Sequence, residues 1–456
     1  MKIIRNRIGT KEFCLPEGFS VGFSRMDITP KEFPFPTFDL RQAETIHSHV
    51  YTTCVAVSDG EDLAFFLTSD LRAAYAEMVK TVKGIIGEMT GVPEDHVLFC
   101  TTHNHSGPDI AKIHTHEVVS RWVKDFYEQV PKLIEDALSD LAPTKLFVGK
   151  AETKNLSFVR RYFLKDGSFW GIHTGSNPAP SDFDRHETEP DPEMRVVKCC
   201  REGKKDVLLV NWQCHAATDA SMRPTIMTAD FIHEFRKGAE ERFDVLFAYY
   251  NGACGNVVSG SRMESDQRPN DTDEQGRLLV DVLAKAMENL TPAASGKLCF
   301  KSGVVHAELK NFTPERVKLA EEVWACKDPE EKKKLRKQYG FQSKWEANAI
   351  LNIMKKREKI GAIFPIHHTA ISFGDIGFVN APYEMFDTNG LQVRNASPFP
   401  ITFICSNTDG ALSYMPSLEA CPRGGYEVYV CHYVSGTSEA CAEKMAELLN
   451  ETAKQK

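Results

Sequence analysis

Several features that would place this chain in a particular class of protein are missing from its sequence. No stretch approaches the roughly 18 consecutive apolar residues that a membrane-spanning helix needs. No block of lysine and arginine is longer than a few residues, and the net charge is −8. An acidic chain of this kind argues against a protein that binds nucleic acid or a membrane surface. We therefore expect no membrane span and no nucleic-acid partner.

Signals of secretion are missing as well. The 13 cysteines are odd in number, scattered and without a Cys-x-x-Cys pair, which suits reduced thiols rather than a disulfide framework. The opening segment MKIIRNRIGTKEFCLPEG (1–18) has no apolar core of a signal peptide and no small-residue cleavage site. We therefore expect a soluble, cytoplasmic protein. The sequence leaves its oligomeric state open, a homo-oligomer included.

The chain has enough hydrophobic residues to form a large core. Of its 456 residues, 42% are hydrophobic and 26% charged, as in globular proteins. Apolar β-rich runs alternate with amphipathic helical stretches, which is typical of α/β proteins. We predict a single α/β domain over residues 1–456, with mixed β-sheets flanked by helices. A charged helical excursion is expected at about residues 312–360, with Trp324 and Trp345 as its anchors.

Individual elements follow from apolar periodicity and turn residues. A hairpin is predicted around Asp59-Gly60, a helix over 76–91 that ends at a glycine, and a helix over 117–141 with a kink at Pro131. Further strands are predicted at 96–102, 145–152, 195–200, 206–214, 245–250, 377–381 and 401–407. The run YEVYVCHYV, which begins at Tyr426, is also strand-like.

Polar side chains follow several of these strands, and the segment FCTTHNHSGPDI (99–110) is the most informative. The chain contains three His-x-His pairs, His47/His49, His103/His105 and His114/His116. Only the second pair follows a strand directly and precedes a Ser-Gly-Pro turn. Residues two apart in an extended chain point to one side, and ligands of α/β sheets bind beyond the carboxyl ends of strands. We therefore expect His103 and His105 to share a site.

Other predicted strands end in similar residues. His215, the glycine-rich turn 251–256, Glu384 and Tyr414 each follow a strand. Two or more histidines with one carboxylate are the ligands that Zn²⁺ takes in hydrolytic sites, with one position open for water. From the residues alone, the choice is between such a metal site and polar side chains at the mouths of ordinary loops.

At these residues the sequence resembles the neutral and alkaline ceramidase family, zinc amidases that cleave the N-acyl bond of ceramide. The similar segments are VGFSRMDITP (21–30), TTHNHSGPD (101–109), NWQCHAATD (211–219), YYNGACGNV (249–257) and NAPYEMFDTNG (380–390), followed by Tyr414 and Tyr426 at the family's spacing. The resemblance extends over most of the chain. It depends on the order of the segments rather than on any one of them.

The resemblance implies a set of site residues and a ceramidase-like zinc hydrolase domain. The implied ligands of one Zn²⁺ per chain are His103, His215, Glu384 and Tyr414. The implied donors to the oxyanion are Arg160 and Tyr426, and His105 is implied to lie behind the ligands or to face the substrate. We expect His105 to be the catalytic proton shuttle, because histidine titrates near neutrality. Residues expected at the substrate are Asp230, Gly252, Asn256 and Arg161, and Arg161 also remains an alternative to Arg160 in FVRRYFLKDG (158–167).

Departures from the family bear on the substrate. We expect neither a secretion signal nor a C-terminal β-sandwich domain, which extracellular members of the family carry. Pro-Tyr-Glu stands where the family has Pro-Gly-Glu, and Gly255-Asn256 stands where it has Gly-Asp. We predict a zinc-dependent amidase that cleaves a C–N bond with metal-activated water. Its expected partner is a small, soluble N-acyl compound rather than ceramide.

Two other functions are compatible with these residues. The alternatives are an amidase for ceramide or another N-acyl lipid, and a non-catalytic ligand-binding scaffold with the same fold. A metallophosphatase or a barrel amidohydrolase needs further motifs that the chain does not contain.

Overall fold

Two β-sheets packed face to face form the centre of the computed structural model, which describes residues 3–5, 12–173, 176–266 and 269–455. Within these ranges the larger sheet has nine strands. In spatial order they are Leu246–Asn251, Val207–Trp212, Glu193–Arg201, Ala142–Glu152, Ser20–Asp27, Tyr51–Ser58, Leu63–Ser69 and Val97–Thr101, with Thr291–Ala293 paired to Ala142–Glu152.

The smaller sheet lies on one face of the larger one. Its strands, in spatial order, are Leu298–Glu308, Ile363–Phe373, Ile376–Ala381 and Ile401–Ser406. Aromatic rings fill the space between the sheets: the rings of Phe66 and Phe378 are 4.4 Å apart, and those of Tyr250 and Phe403 are 6.0 Å apart. Because the central strands are covered on both faces, their sequences are almost continuous apolar runs.

Helices cover the outer faces of both sheets. The α-helices of the described ranges are α1 (Ala76–Thr90), α2 (Glu117–Ser139), α3 (Thr218–Met222), α4 (Phe231–Phe243), α5 (Thr272–Glu288), α6 (Pro314–Ala325), α7 (Pro329–Gln338), α8 (Lys344–Ile360), α9 (Asp387–Ala396), α10 (Tyr426–Val430) and α11 (Thr437–Ala453). Helices α1, α2, α4 and α5 pack on the larger sheet, and α9 and α11 pack on the smaller one. This layered arrangement confirms the predicted α/β class with mixed sheets flanked by helices.

Short strand pairs and single 3-10 turns complete the chain. The pairs are Ile3–Arg5 with Glu12–Cys14, Phe35–Pro36 with Gln42–Ala43, Thr45–Ile46 with Ile226–Met227, Phe158–Val159 with Val257–Val258, Arg161–Leu164 with both Phe169–Gly171 and Phe183–His186, and Glu384–Met385 with Tyr414–Met415. The 3-10 turns are Phe38–Leu40, Glu94–His96, Ile110–Lys112, Pro180–Asp182 and Cys421–Arg423. None of the described helices has the length and apolar character needed to cross a bilayer.

Most of the predicted elements are present near the expected positions. The hairpin turns at Gly60, whose φ is 91°, and α1 ends at Gly91, whose φ is 76°. Pro131 lies inside α2, which continues to Ser139. The strand-like run at Tyr426 is wrong, because those residues form α10 after Gly424 and Gly425.

Helices α6 to α8 form the predicted charged helical excursion. They have a small core of their own, built from Ala320, Val323, Phe341, Ala347 and Ile350. Trp324 is 40% exposed, so its prediction as an anchor is wrong. The ring of Trp345 lies 6.4 Å from that of Trp324 and reaches the cavity described below.

Candidate active site

Three predicted ligands follow strands that belong to parallel pairs. His103 comes after Val97–Thr101, His215 after Val207–Trp212, and Glu384 after Ile376–Ala381. The parallel pairing of Glu384 with Tyr414 then sets those two residues side by side. Because the carboxyl ends of parallel strands meet at one edge, side chains distant in sequence converge here.

The converging groups lie within contact distance of one another. The Nε2 atoms of His103 and His215 are 3.3 Å and 3.0 Å from the same Glu384 oxygen, Oε2. His105 Nε2 is 3.2 Å from His103 Nε2, and the three histidines offer ligand atoms within 4.8 Å of one another. The Tyr414 hydroxyl is 3.5 Å from His215 Nε2.

Backbone carbonyls orient two of the imidazoles. His103 donates from Nδ1 to the carbonyl of Arg72 (2.8 Å), and His215 donates from Nδ1 to the carbonyl of Cys254 (2.6 Å). A carbonyl oxygen only accepts hydrogen bonds, so Nδ1 carries the hydrogen in both rings. The lone pair on each Nε2 therefore faces the Glu384 carboxylate, where a metal ion would bind between the three groups, and this is the usual arrangement for metal-ligating histidines.

The turn after the first histidine is tightly constrained. His103 has a φ of 60°, so His103 and His105 do not share an extended segment, contrary to the prediction. Asn104 donates to the carbonyl of Thr228 (2.7 Å) and accepts from the amide of Ser106 (3.0 Å). A Cβ at Gly107 would lie 2.3 Å from the carbonyl oxygen of Asp70. These contacts, rather than the alternation of a strand, bring the rings together.

A second turn supports the strand that carries Glu384. The amide of Gly255 donates to the carbonyl of Met385 (2.7 Å), and a Cβ at Gly255 would lie 2.5 Å from the Glu384 carbonyl oxygen. Tyr383, the tyrosine of the Pro-Tyr-Glu segment, is buried in the core under α11, with its hydroxyl 3.6 Å from Met445 Sδ. It does not crowd the site.

The adjacent arginines point in different directions. Arg160 donates from Nη2 to the Tyr414 hydroxyl (3.1 Å) and to the Gly255 carbonyl (3.0 Å), and from Nε to Glu427 (2.7 Å). Arg161 is fully buried in ion pairs with Glu187 (2.5 Å) and Glu427 (3.3 Å). The structure therefore brings Arg160 to the site and leaves Arg161 behind it.

Burial and neighbouring charges determine the ionisation of the site. Burial and the charge of Arg160 lower the pKa of His215 to about 4, and burial with the neighbouring histidines lowers the pKa of His105. Burial opposes ionisation of Glu384, but His103 and His215 outweigh it and hold the pKa of the carboxyl well below its usual range. Burial raises the pKa of the Tyr414 phenol. Neutral imidazoles and an ionised carboxylate are the forms that bind metal.

The donor set fits a zinc ion. Imidazole nitrogens and a carboxylate oxygen, gathered around one point with their hydrogen-bearing nitrogens turned away, are the ligands of zinc sites in hydrolases. His103, His215 and Glu384 would hold the ion, with the Tyr414 hydroxyl at the edge of the group. His105, predicted as a catalytic neighbour, lies in the same cluster.

The cluster opens into a cavity of about 670 Å³. Its polar walls include the predicted residues His105, Arg160, His215, Tyr414 and Tyr426. Its apolar walls include Phe38, Ile172, Met222 and Trp345. The volume and the mixture of apolar surface with a few convergent polar groups are those of a site for a small molecule.

The four residues predicted at the substrate do not line this cavity. The Asp230 carboxylate accepts from the amides of Asp219 and Phe231 and caps α4. Gly252 lies against Gln213, and Asn256 exchanges hydrogen bonds with Asp387. Arg161 is held by its two glutamates. In each case the polar group is used to hold the backbone or another buried charge.

Two contributors were missed at the sequence level. Glu427 anchors Arg160, and the carbonyl of Arg72 orients His103. The position of Glu427 directly after Tyr426 was the only available signal for the first. A backbone carbonyl has no signature in the sequence, so nothing pointed to the second.

Fold and site together define an α/β protein with a buried histidine and carboxylate cluster at the ends of parallel strands. No family model and no curated protein matches the sequence. The structure is similar to neutral ceramidase from Pseudomonas aeruginosa, with a TM-score of 0.71 and 14% identity over 96% of this chain and 75% of that one. It is also similar to a ceramidase complexed with C2, with a TM-score of 0.69 and 14% identity over 96% of this chain and 76% of that one. The chain thus has a ceramidase-like fold.

Proposed function

We propose that this protein is a zinc-dependent hydrolase that cleaves the C–N amide bond of a small-molecule N-acyl substrate. The observation that carries the proposal is the meeting of His103, His215 and Glu384 at one point, beside a cavity that His215, Arg160 and Tyr426 line. The ceramidase-like fold supports it.

Each group has a role in amide hydrolysis. His103, His215, Glu384 and Tyr414 would hold Zn²⁺, which would supply Lewis acidity to activate water and to polarise the substrate carbonyl. Arg160, fixed in place by Glu427, and the Tyr426 hydroxyl donate to the oxyanion as negative charge develops on the substrate. His105 accepts and returns a proton at Nε2, so that the nitrogen leaves as a neutral amine.

A soluble N-acyl compound is the proposed substrate. The second candidate is an amidase for ceramide or another N-acyl lipid, and the apolar wall formed by Phe38, Ile172, Met222 and Trp345 favours it. The cysteines whose side chains are described are all free thiols. This supports the proposal that the protein works in a reducing compartment, the cytoplasm.

Zinc content is the direct test. Wild-type protein should purify or reconstitute with about one zinc per chain, and His103→Ala and Glu384→Ala should each lose it, because removing one donor leaves an incomplete ligand set. Elemental analysis measures this. His114→Ala is the matched control, since His114 is exposed and pairs with Glu77. A folded wild-type protein that takes up no zinc would favour the non-catalytic scaffold.

A further inference from the structure

The cavity contains two arginines that the proposed chemistry does not use. Arg41 and Arg262 both line it. Within the described ranges, no carboxylate oxygen lies within 4.0 Å of either guanidinium. A partly buried guanidinium without a carboxylate partner keeps an uncompensated positive charge, which an anionic ligand can pair.

Both guanidinium groups are held in place while most of their donors stay available. Arg41 donates from Nη1 to the carbonyl of Ala220. Arg262 donates from Nη2 to Asn177 Oδ1 (2.5 Å), and its guanidinium carbon lies 4.9 Å from the centre of the Trp170 ring. A guanidinium carries five N–H donors, so each arginine retains donors that can bind a ligand.

The charge of the cavity is positive. Asp39 is the single carboxylate among its described lining residues. Arg160, the third arginine, is neutralised by its ion pair with Glu427. Arg41 and Arg262 therefore leave an excess of positive charge, and this excess lies in the same cavity as the apolar side chains of Phe38 and Trp345.

We infer that the substrate is an N-acyl amino acid, whose carboxylate binds Arg41 and Arg262 while its acyl chain lies on the apolar wall. This inference rests on the proposed function. Carboxylates match the planar fork of arginine and make charge-assisted hydrogen bonds with it. Hydrolysis adds water across the C–N bond and releases a fatty carboxylate and the free amino acid, with no other reactant.

The same charges argue against a sphingoid substrate. The amine released from ceramide is a cation at neutral pH and has no carboxylate to offset its charge. Two arginines in the same cavity repel such a product. An amino acid product carries a carboxylate beside its amine, and its binding is compatible with these charges.

The test uses two substrates that differ only in charge, N-octanoylglycine and N-octanoylglycinamide. Wild-type enzyme should hydrolyse the carboxylate with a kcat/KM at least about tenfold higher, the effect of one charge-assisted hydrogen bond. Arg41→Gln and Arg262→Gln should each lower the ratio of kcat/KM for the carboxylate to kcat/KM for the amide about tenfold. Arg242→Gln is the control, since Arg242 lies on the surface of α4 and pairs with Asp281.

The outcomes separate this inference from the proposed function. Equal hydrolysis of both compounds, unaffected by the two substitutions, overturns the inference and leaves the hydrolase intact. If neither compound is hydrolysed, the proposed function fails, and calorimetric binding of the same pair decides the inference. If N-octanoylglycine binds more tightly than N-octanoylglycinamide and both substitutions abolish this difference, the inference is supported. If the two compounds bind equally, or neither binds, the inference is overturned. Thermal melting checks the folding of each variant. If one of the two arginine variants does not fold, the result from the other variant decides the test.

Discussion

At the scale of single residues, Glu427 connects the candidate active site with a group of buried ion pairs. It is fully buried and binds Arg160 through one carboxylate oxygen and Arg161 through the other. Arg161 in turn pairs with Glu187. The position of the cavity-lining arginine is thus set by a chain of buried charges, each partner satisfying the next.

Glu427→Gln should destabilise the fold by about 3 kcal/mol, because it leaves two buried guanidinium groups with too little negative charge. Urea unfolding measures this. Burial opposes ionisation of Glu427, yet the two arginines lower the pKa of its carboxyl from the ordinary 4.5. The stabilisation is therefore present above that value and is lost as the pH falls below it.

The difference in unfolding free energy between wild type and Glu427→Gln should accordingly shrink under acidic conditions. Glu117→Gln is the control: Glu117 forms an exposed ion pair with Arg121, and its loss should cost less than about 0.5 kcal/mol. A pH-independent difference would argue against a charge effect.

At the scale of elements, the sequence was most informative where both faces of a strand are buried. Strands such as Leu63–Ser69 and Val207–Trp212 are entirely buried, so their apolar runs and bounding turns could be read directly. The run at Tyr426 has the same residue types, but the positive φ values of the preceding Gly424 and Gly425 start a helix there. β-propensity reflects the surroundings of a residue, and a single sequence does not contain them.

The turn at Gly255 offers a test at this scale. Gly255→Ala should weaken zinc binding about tenfold or more. The added Cβ would lie 2.5 Å from the Glu384 carbonyl oxygen, so the strand that carries Glu384 would have to move away from the histidines. Competition with a chelator measures the affinity. Gly84→Ala, at an open position in α1, is the matched control and should leave zinc binding unchanged while raising stability by about 1 kcal/mol. Unaltered affinity in Gly255→Ala would contradict the role given to this turn.

At the scale of the whole molecule, the helices of the excursion take part in the cavity. Trp345 of α8 forms part of the wall, whereas Trp324 of α6 does not line it. Trp345→Ala should therefore weaken binding of N-octanoylglycine about tenfold through the loss of apolar contact, without changing zinc content. Calorimetry measures the affinity. The ring of Trp324 lies 6.4 Å from that of Trp345, yet Trp324→Ala should leave the affinity unchanged. Equal losses of affinity in both variants would indicate general damage to the helices α6 to α8.

The candidate site could also be predicted only in part, because a single sequence does not contain the surroundings of each residue. His103, His215 and Glu384 each follow a strand, which the sequence indicated, and in the structure their side chains lie together. Asp230 and Asn256 lie near the same turns, but their polar groups are taken by a helix cap and by Asp387. Whether a polar group faces a cavity or the backbone depends on partners distant in the chain, and local sequence does not specify those partners.

Glu384–Met385 and Tyr414–Met415, which pair with each other, lie late in the chain, and this determines when the candidate site can form during synthesis. The ribosome adds His103, His105 and His215 long before the carboxylate and the phenol. A nascent chain therefore presents imidazoles without the residues that complete the group, and contacts between such distant segments form late in folding. The proposed metal site would be complete only when this last strand pair forms, so a metal ion bound earlier would be held by histidines alone and would exchange readily.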